Sequence, residues 1–278
     1  MSIPFCSLPM TQNRIDLKFA SSKKENGKVL IAYITAGDPD LETTRDLIFM
    51  LEEAGVDMLE LGIPFSDPTA DGPVIQAASH RSLKKGTTLQ KILELVSSVR
   101  KESIIPIILF GYYNPIHTYG ISRFSVDAKQ AGVDAILVVD LPMEEADFFR
   151  AEMNKQNIHF ISLIAPTTSK ERIRQIVQKA RGFLYYISIA GLTGTTVPNF
   201  ENVSEKIKLI RKETDLPIVL GFGISSSEQA KNLSSVADGI VVGSAFVKRI
   251  EENQGNKDLT KKIYQFARDL KNAMGGTN

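Results

Sequence analysis

Glu60 and Asp71 stand eleven positions apart in the segment Met58-Leu-Glu-Leu-Gly-Ile-Pro-Phe-Ser-Asp-Pro-Thr-Ala-Asp-Gly-Pro73. Glu60 is flanked by Met58, Leu59 and Leu61, so its carboxyl group lies in an apolar run. An ionised carboxylate there is costly, and the group must either find a partner or keep its proton. A carboxyl that holds its proton near neutrality suits a general acid. A core glutamate locked by an internal hydrogen bond or ion pair is the competing reading. Asp71 is open in the same way, because Asp-Gly before Pro is also a turn signal. Asp67-Pro68 reads as turn chemistry or a surface contact.

A second group of chemical interest is rich in glycine: Gly191-Leu-Thr-Gly-Thr195, Gly221-Phe-Gly-Ile-Ser225 and Gly243-Ser-Ala245. Glycines admit close backbone approach, and a helix starting at Gly243 or Ser244 would aim free N–H groups at an anion. Gly221-Phe-Gly223 is not a dinucleotide fingerprint, since its third glycine and the acidic ribose partner are missing. His80, His117 and His159 lack metal-ligand spacing and read as solvated or hydrogen-bonded side chains. There is no Gly-x-Ser-x-Gly elbow. No lysine falls in a predicted strand, which argues against Schiff-base chemistry. Acid–base chemistry without a cofactor remains.

The elements that must position these residues follow from the hydrophobic pattern. Short apolar runs at 29–35, 57–62, 105–110, 134–140, 158–164, 183–189, 217–222 and 238–243 alternate with stretches of helical period, such as Leu89, Ile92, Leu93, Val96 and Val99. Continuous runs such as Ala135-Ile-Leu-Val-Val139 imply strands buried on both faces, hence parallel pairing with helical crossovers. Ala54-Gly-Val-Asp57 and Ala131-Gly-Val-Asp134 each end a helix on glycine and enter a strand. Eight such units without a linker predict an α/β fold, a closed (β/α)8 barrel forming one domain over 1–278. An extra N-terminal helix at 11–24 is expected to cap the barrel floor, and 258–274 to form the last outer helix. The charge runs Arg100-Lys-Glu102 and Arg211-Lys-Glu213 read as solvated helix ends. In this architecture chemistry sits at the carboxyl ends of the strands, where both candidate groups fall.

Thirty-three basic and 32 acidic residues leave a net charge of +1, so no summed field gathers nucleic acid or an anionic membrane. Cys6 is the only cysteine, which excludes an internal disulfide and points to the cytoplasm. No apolar run approaches the ~20 residues of a membrane span, and Met1 to Met10 makes a poor secretory signal.

Over nearly its whole length the sequence resembles the alpha subunits of tryptophan synthase. The matching segments are Ile34-Thr-Ala-Gly-Asp-Pro39, Glu60 through Gln76, Tyr112-Tyr-Asn-Pro115, Gly132-Val-Asp134, Val139-Asp-Leu-Pro142, Gly191-Leu-Thr-Gly194, Gly221-Phe-Gly-Ile-Ser225 and Gly243-Ser244. The resemblance implies retro-aldol cleavage of indole-3-glycerol phosphate to indole and glyceraldehyde 3-phosphate in tryptophan biosynthesis, without metal or organic cofactor. It implies Glu60 as proton shuttle and Asp71 as acceptor of the ring N–H. Tyr33, Ile75, Phe110, Leu137, Leu163, Tyr185 and Thr193 would line the indole and glycerol pocket, with barrel packing the plain alternative for the aliphatic three. Gly194, Phe222, Gly223, Gly243 and Ser244 would hold the phosphate. Ser66, Asp67, Pro68, Thr69 and the loop after strand six would face a beta subunit, the holder of pyridoxal phosphate, in an alpha2beta2 complex. That loop departs from the family at Ile189-Ala190, Leu192 and Thr195-Thr196, which keeps open a role chiefly as allosteric activator of the beta subunit. An isomerase on the same barrel is a third reading.

Overall fold

The computed structural model describes residues 12–187, 200–221 and 223–275. Among the described residues nine strands form one wholly parallel sheet: β1 (Val29–Thr35), β2 (Met58–Gly62), β3 (Ile107–Gly111), β4 (Ala135–Val138), β5 (His159–Phe160), β6 (Ser162–Ile164), β7 (Leu184–Ile187), β8 (Ile218–Gly221) and β9 (Gly239–Val242). Their order is β5-β4-β3-β2-β1-β9-β8-β7-β6. The run expected as one strand over 158–164 is thus two. β5 pairs with β4 and β6 pairs with β7, so this single stretch bonds first to one neighbour and then to the other. The Ile161 N–H still donates to Ile136 O at 2.9 Å before the chain changes partner. That exchange closes the ring into the expected barrel.

The strands are apolar on both sides because each side faces a different core. Outward positions such as Leu30, Ala32, Ile34 and Leu59 pack with the surrounding helices. Those helices include α2 (Leu41–Glu53), α4 (Leu89–Val99), α6 (Ile121–Ala131), α8 (Lys170–Lys179), α9 (Phe200–Arg211) and α12 (Leu259–Ala273). Inward positions, among them Val29, Ile31, Tyr33, Met58, Ile108, Leu137 and Tyr185, fill the barrel. Gly132 closes α6 in the left-handed conformation, φ 93°, which is why a glycine stands between that helix and β4.

Helix α1 (Arg14–Lys24) covers the floor as expected. Its Ile15 and Phe19 belong to the inner core, and Phe19 packs on Phe183 with ring centroids 5.7 Å apart. Asn13 caps the helix by accepting from Ile15 N–H, while its amide donates to Asp134 O at 2.8 Å. His159 is buried with Nε2 2.9 Å from Asp16, whereas His80 and His117 are exposed.

The reading of Arg100-Lys-Glu102 as a solvated helix end fails at Arg100. Its side chain is 10% exposed and bonded to Asp134 at 2.8 Å, and it donates to Gly132 O at 2.8 Å and Ile105 O at 2.5 Å. The run lies just before β3, and the guanidinium turns inward to satisfy carbonyls that the strand entrances leave free. Lys101 and Glu102 are exposed, as expected.

Candidate active site

Strand β2 carries Glu60 in register with Tyr33 of β1 and Ile108 of β3, on the inward face. The side chain is 1% exposed, and Oε1 is buried with no hydrogen-bond partner. Among the described residues it takes part in no ion pair, so the locked core glutamate is not what the fold contains. Burial alone pushes its pKa up to about 8.

Asp71 lies in the loop that leaves β2. The loop does turn there: Thr69 N–H donates to Asp67 O at 2.9 Å and Asp71 N–H to Pro68 O at 3.1 Å. Gly72 then caps helix α3 (Pro73–Lys84), with proline in the first turn. The turn reading of Asp71 therefore holds for its backbone, while its side chain points to a separate partner. Its carboxylate accepts from the Tyr112 hydroxyl at 3.0 Å. Burial raises its pKa to about 6 against the lowering effect of that hydrogen bond.

The two carboxyls share a neighbourhood. The charges of Asp71 and Glu60 both act on the Tyr33 hydroxyl, which burial and they together hold well above its ordinary pKa. Glu60 acts likewise on Tyr185. Tyr33 meets Phe110 edge-on, with centroids 5.3 Å apart. Leu137 and Tyr185 are buried in the inner core, and Ile75, Phe110 and Leu163 pack on it half-buried. Thus six of the seven expected lining residues belong to the inner core of the barrel or pack on it. The seventh, Thr193, lies outside the described residues.

Sequence reasoning missed three neighbours. Val139 and Ile187 stand two residues beyond Leu137 and Tyr185, and both pack on the inner core. The period of two along each strand was the signal that could have found them. Tyr112, two residues beyond Phe110, follows the same rule. Val139, Leu163 and Ile187 also line a cavity of about 330 Å³, with Val138, Phe160 and Ile176 behind them. It lies where β4 and β6 share no backbone pairing. A larger groove, about 570 Å³, lies among Asp40, Arg81 and Lys257 and holds none of the candidate residues.

Gly243, one of the residues expected to hold phosphate, precedes helix α11 (Ser244–Glu252), and no side chain caps that helix. The Phe246 N–H already donates to Gly243 O at 2.8 Å, which leaves those of Ser244 and Ala245 as the first-turn groups available to an anion. A Cβ added to Gly223 would meet nothing within 4 Å, so the backbone there borders open space. Gly194, Phe222 and the divergent loop positions Ile189, Ala190, Leu192, Thr195 and Thr196 lie outside the described residues. Ser66, Asp67 and Thr69 are exposed, Pro68 is buried, and Ser66 Oγ donates to Asp67 at 2.5 Å. No described group of three or more His, Cys, Asp or Glu side chains could hold a metal ion. No described helix is long and apolar enough to cross a membrane.

The sequence profile of the tryptophan synthase alpha chain matches residues 19–275. The chain belongs to the tryptophan synthase alpha chain family. It is 50% identical over 267 residues to the tryptophan synthase alpha chain of Geotalea uraniireducens, covering 95% of this chain and 100% of the relative. It is 52% identical over 258 residues to that of Geotalea daltonii, covering 93% and 97%. The crystal structure of tryptophan synthase subunit alpha from Legionella pneumophila superposes with a TM-score of 0.90 at 38% identity, covering 96% of this chain and 100% of that one. Membership makes the chain a lyase of tryptophan biosynthesis, the alpha subunit that cleaves indole-3-glycerol phosphate.

Proposed function

We propose that Glu60 and Asp71 divide the work of this alpha-chain reaction. Indole is a poor electron sink until ring carbon C3 is protonated. That proton makes C3 tetrahedral and the ring nitrogen an iminium, which can accept the electrons of the breaking carbon–carbon bond. Glu60 gives the proton to C3 and takes one from the glycerol hydroxyl, whose oxygen becomes the aldehyde of glyceraldehyde 3-phosphate. The bond electrons restore the indole ring, and the enzyme ends with its proton count unchanged. A carboxyl with pKa about 8 is mostly protonated at neutral pH, as a donor to carbon must be. Asp71, at about 6, is mostly ionised and accepts the ring N–H as positive charge builds. One environment pushes the two carboxyls apart and so separates the roles.

The observation that carries this reading is the buried, unpartnered Glu60 carboxyl at the end of an otherwise apolar barrel interior. Tyr33, Ile75, Phe110, Leu137, Leu163, Tyr185 and Thr193 hold the ring and glycerol. Gly194, Phe222, Gly223, Gly243 and Ser244 hold the phosphate. The reaction needs no cofactor. The chain works as a single barrel domain in the cytoplasm and passes indole to a pyridoxal-phosphate beta subunit in an alpha2beta2 complex. That subunit docks on Ser66, Asp67, Pro68, Thr69 and the loop after the sixth barrel strand. In Glu60→Gln, indole release should fall by ~10²- to 10⁴-fold while a phosphate ligand such as glycerol 3-phosphate still binds. Turnover at the parent rate would refute the assignment.

A further inference from the structure

We infer that Tyr112 is a positioning residue for this reaction, clamping the Asp71 carboxylate to the barrel rim in one acceptor orientation. The inference rests on the reading of Asp71 as the partner of the ring nitrogen. Tyr112 follows β3 directly and is buried, with its ring 5.2 Å from that of Phe65. Its hydroxyl accepts the Ala70 N–H at 2.9 Å. The single hydroxyl proton is thereby directed to the other side, where Asp71 Oδ2 lies 3.0 Å away. Gln76 holds the same turn from its backbone side, donating to Asp71 O at 2.9 Å. The turn backbone is thus held from both α3 and Tyr112, and the carboxylate by Tyr112 at the end of β3.

The same hydrogen bond favours the ionised carboxylate against burial. Burial and Asp71 together hold the Tyr112 pKa well above its ordinary value, so the donor keeps its proton throughout the working range.

The test is Tyr112→Phe in the full chain, with the Asp71 titration followed by carboxyl ¹³C NMR and kcat/KM measured against pH. Loss of the donor should raise the Asp71 pKa by about one unit. The acid limb should move with it, so that kcat/KM falls ~10-fold at pH 5 and only ~2-fold at pH 7. Phe65→Leu, which disturbs the same packing but keeps the hydroxyl, should leave the acid limb in place. 3-Fluorotyrosine at position 112, a stronger donor of the same shape, should move the limb the other way. An unmoved Asp71 titration, or a loss equal at every pH, overturns the inference. A titration that moves without the acid limb upholds the clamp and instead removes Asp71 from the reaction.

Discussion

The catalytic role proposed for Glu60 would be met at the expense of the fold. Its buried carboxyl has no partner, so it retains its proton up to about pH 8. In the unfolded chain it ionises near the ordinary glutamate value. Below that value both states are protonated and folding loses nothing. As pH rises between the two values the unfolded chain releases a proton that the folded chain keeps, and stability falls by up to ~1.4 kcal/mol per pH unit. Glutamine cannot titrate. Glu60→Gln should therefore gain stability over the parent as pH is raised from 5 to 8, read from urea unfolding at several pH values. A difference independent of pH would mean that the carboxyl is solvated or paired. The apolar neighbours made this burial legible in the sequence. The missing partner was not legible, because partners come from other strands. Asp71 was ambiguous for a related reason: its backbone makes a turn while its side chain bonds to Tyr112 beyond another strand.

Between strands the site is shaped by tyrosines lying over glycines. Tyr33 lies over Gly62 on the adjacent strand, where an added Cβ would come 2.2 Å from Tyr33 Oη. Tyr185 lies over Gly221, where the contact would be 2.1 Å from Cε1. Gly223, two positions further on, has nothing within 4 Å. The two glycines should therefore respond differently to the same methyl group. Gly221→Ala must displace the Tyr185 ring and should cost ~1–3 kcal/mol, lowering kcat as the pocket deforms. Gly223→Ala should change stability by less than ~0.5 kcal/mol yet raise KM, since the methyl enters space assigned to the phosphate. Thermal unfolding and steady-state kinetics on both variants check this, and an unchanged KM for Gly223→Ala would take the phosphate away from that turn. The eight-unit alternation was readable because barrel strands buried on both faces are apolar throughout. The change of partner at Ile161 was not, since hydropathy does not encode which neighbour a strand bonds.

Across the whole barrel the working end and the stabilising end are opposite. Three aspartates stand just before strands at the floor, and each accepts an N–H from the neighbouring strand: Asp57 from Leu30 at 2.8 Å, Asp134 from Ile107 at 2.9 Å and Asp238 from Ile218 at 2.8 Å. Each also carries a cation: Lys271 at Asp57, Arg100 and Arg14 at Asp134, and Arg211 at Asp238. The repeated Ala-Gly-Val-Asp disclosed its glycine as a helix end, but its aspartate acts across strands and showed no local signal. The three rivets differ in depth. Arg100 is 10% exposed in its side chain against 42% for Arg211, and burial holds its pKa down to about 10 against the field of Asp134. Asp134→Asn removes that field and leaves a buried guanidinium without a counter-charge, which should cost ~3 kcal/mol or more. Arg211→Met breaks a solvated pair and should cost no more than ~1 kcal/mol. Both substitutions lie at the end of the barrel away from Glu60, so kcat and KM at 25 °C should match the parent for each. Urea unfolding and steady-state assays on the two variants decide it. Equal losses of stability would show that depth does not set the strength of these rivets, and a fall in kcat for Asp134→Asn would show that floor and site are coupled.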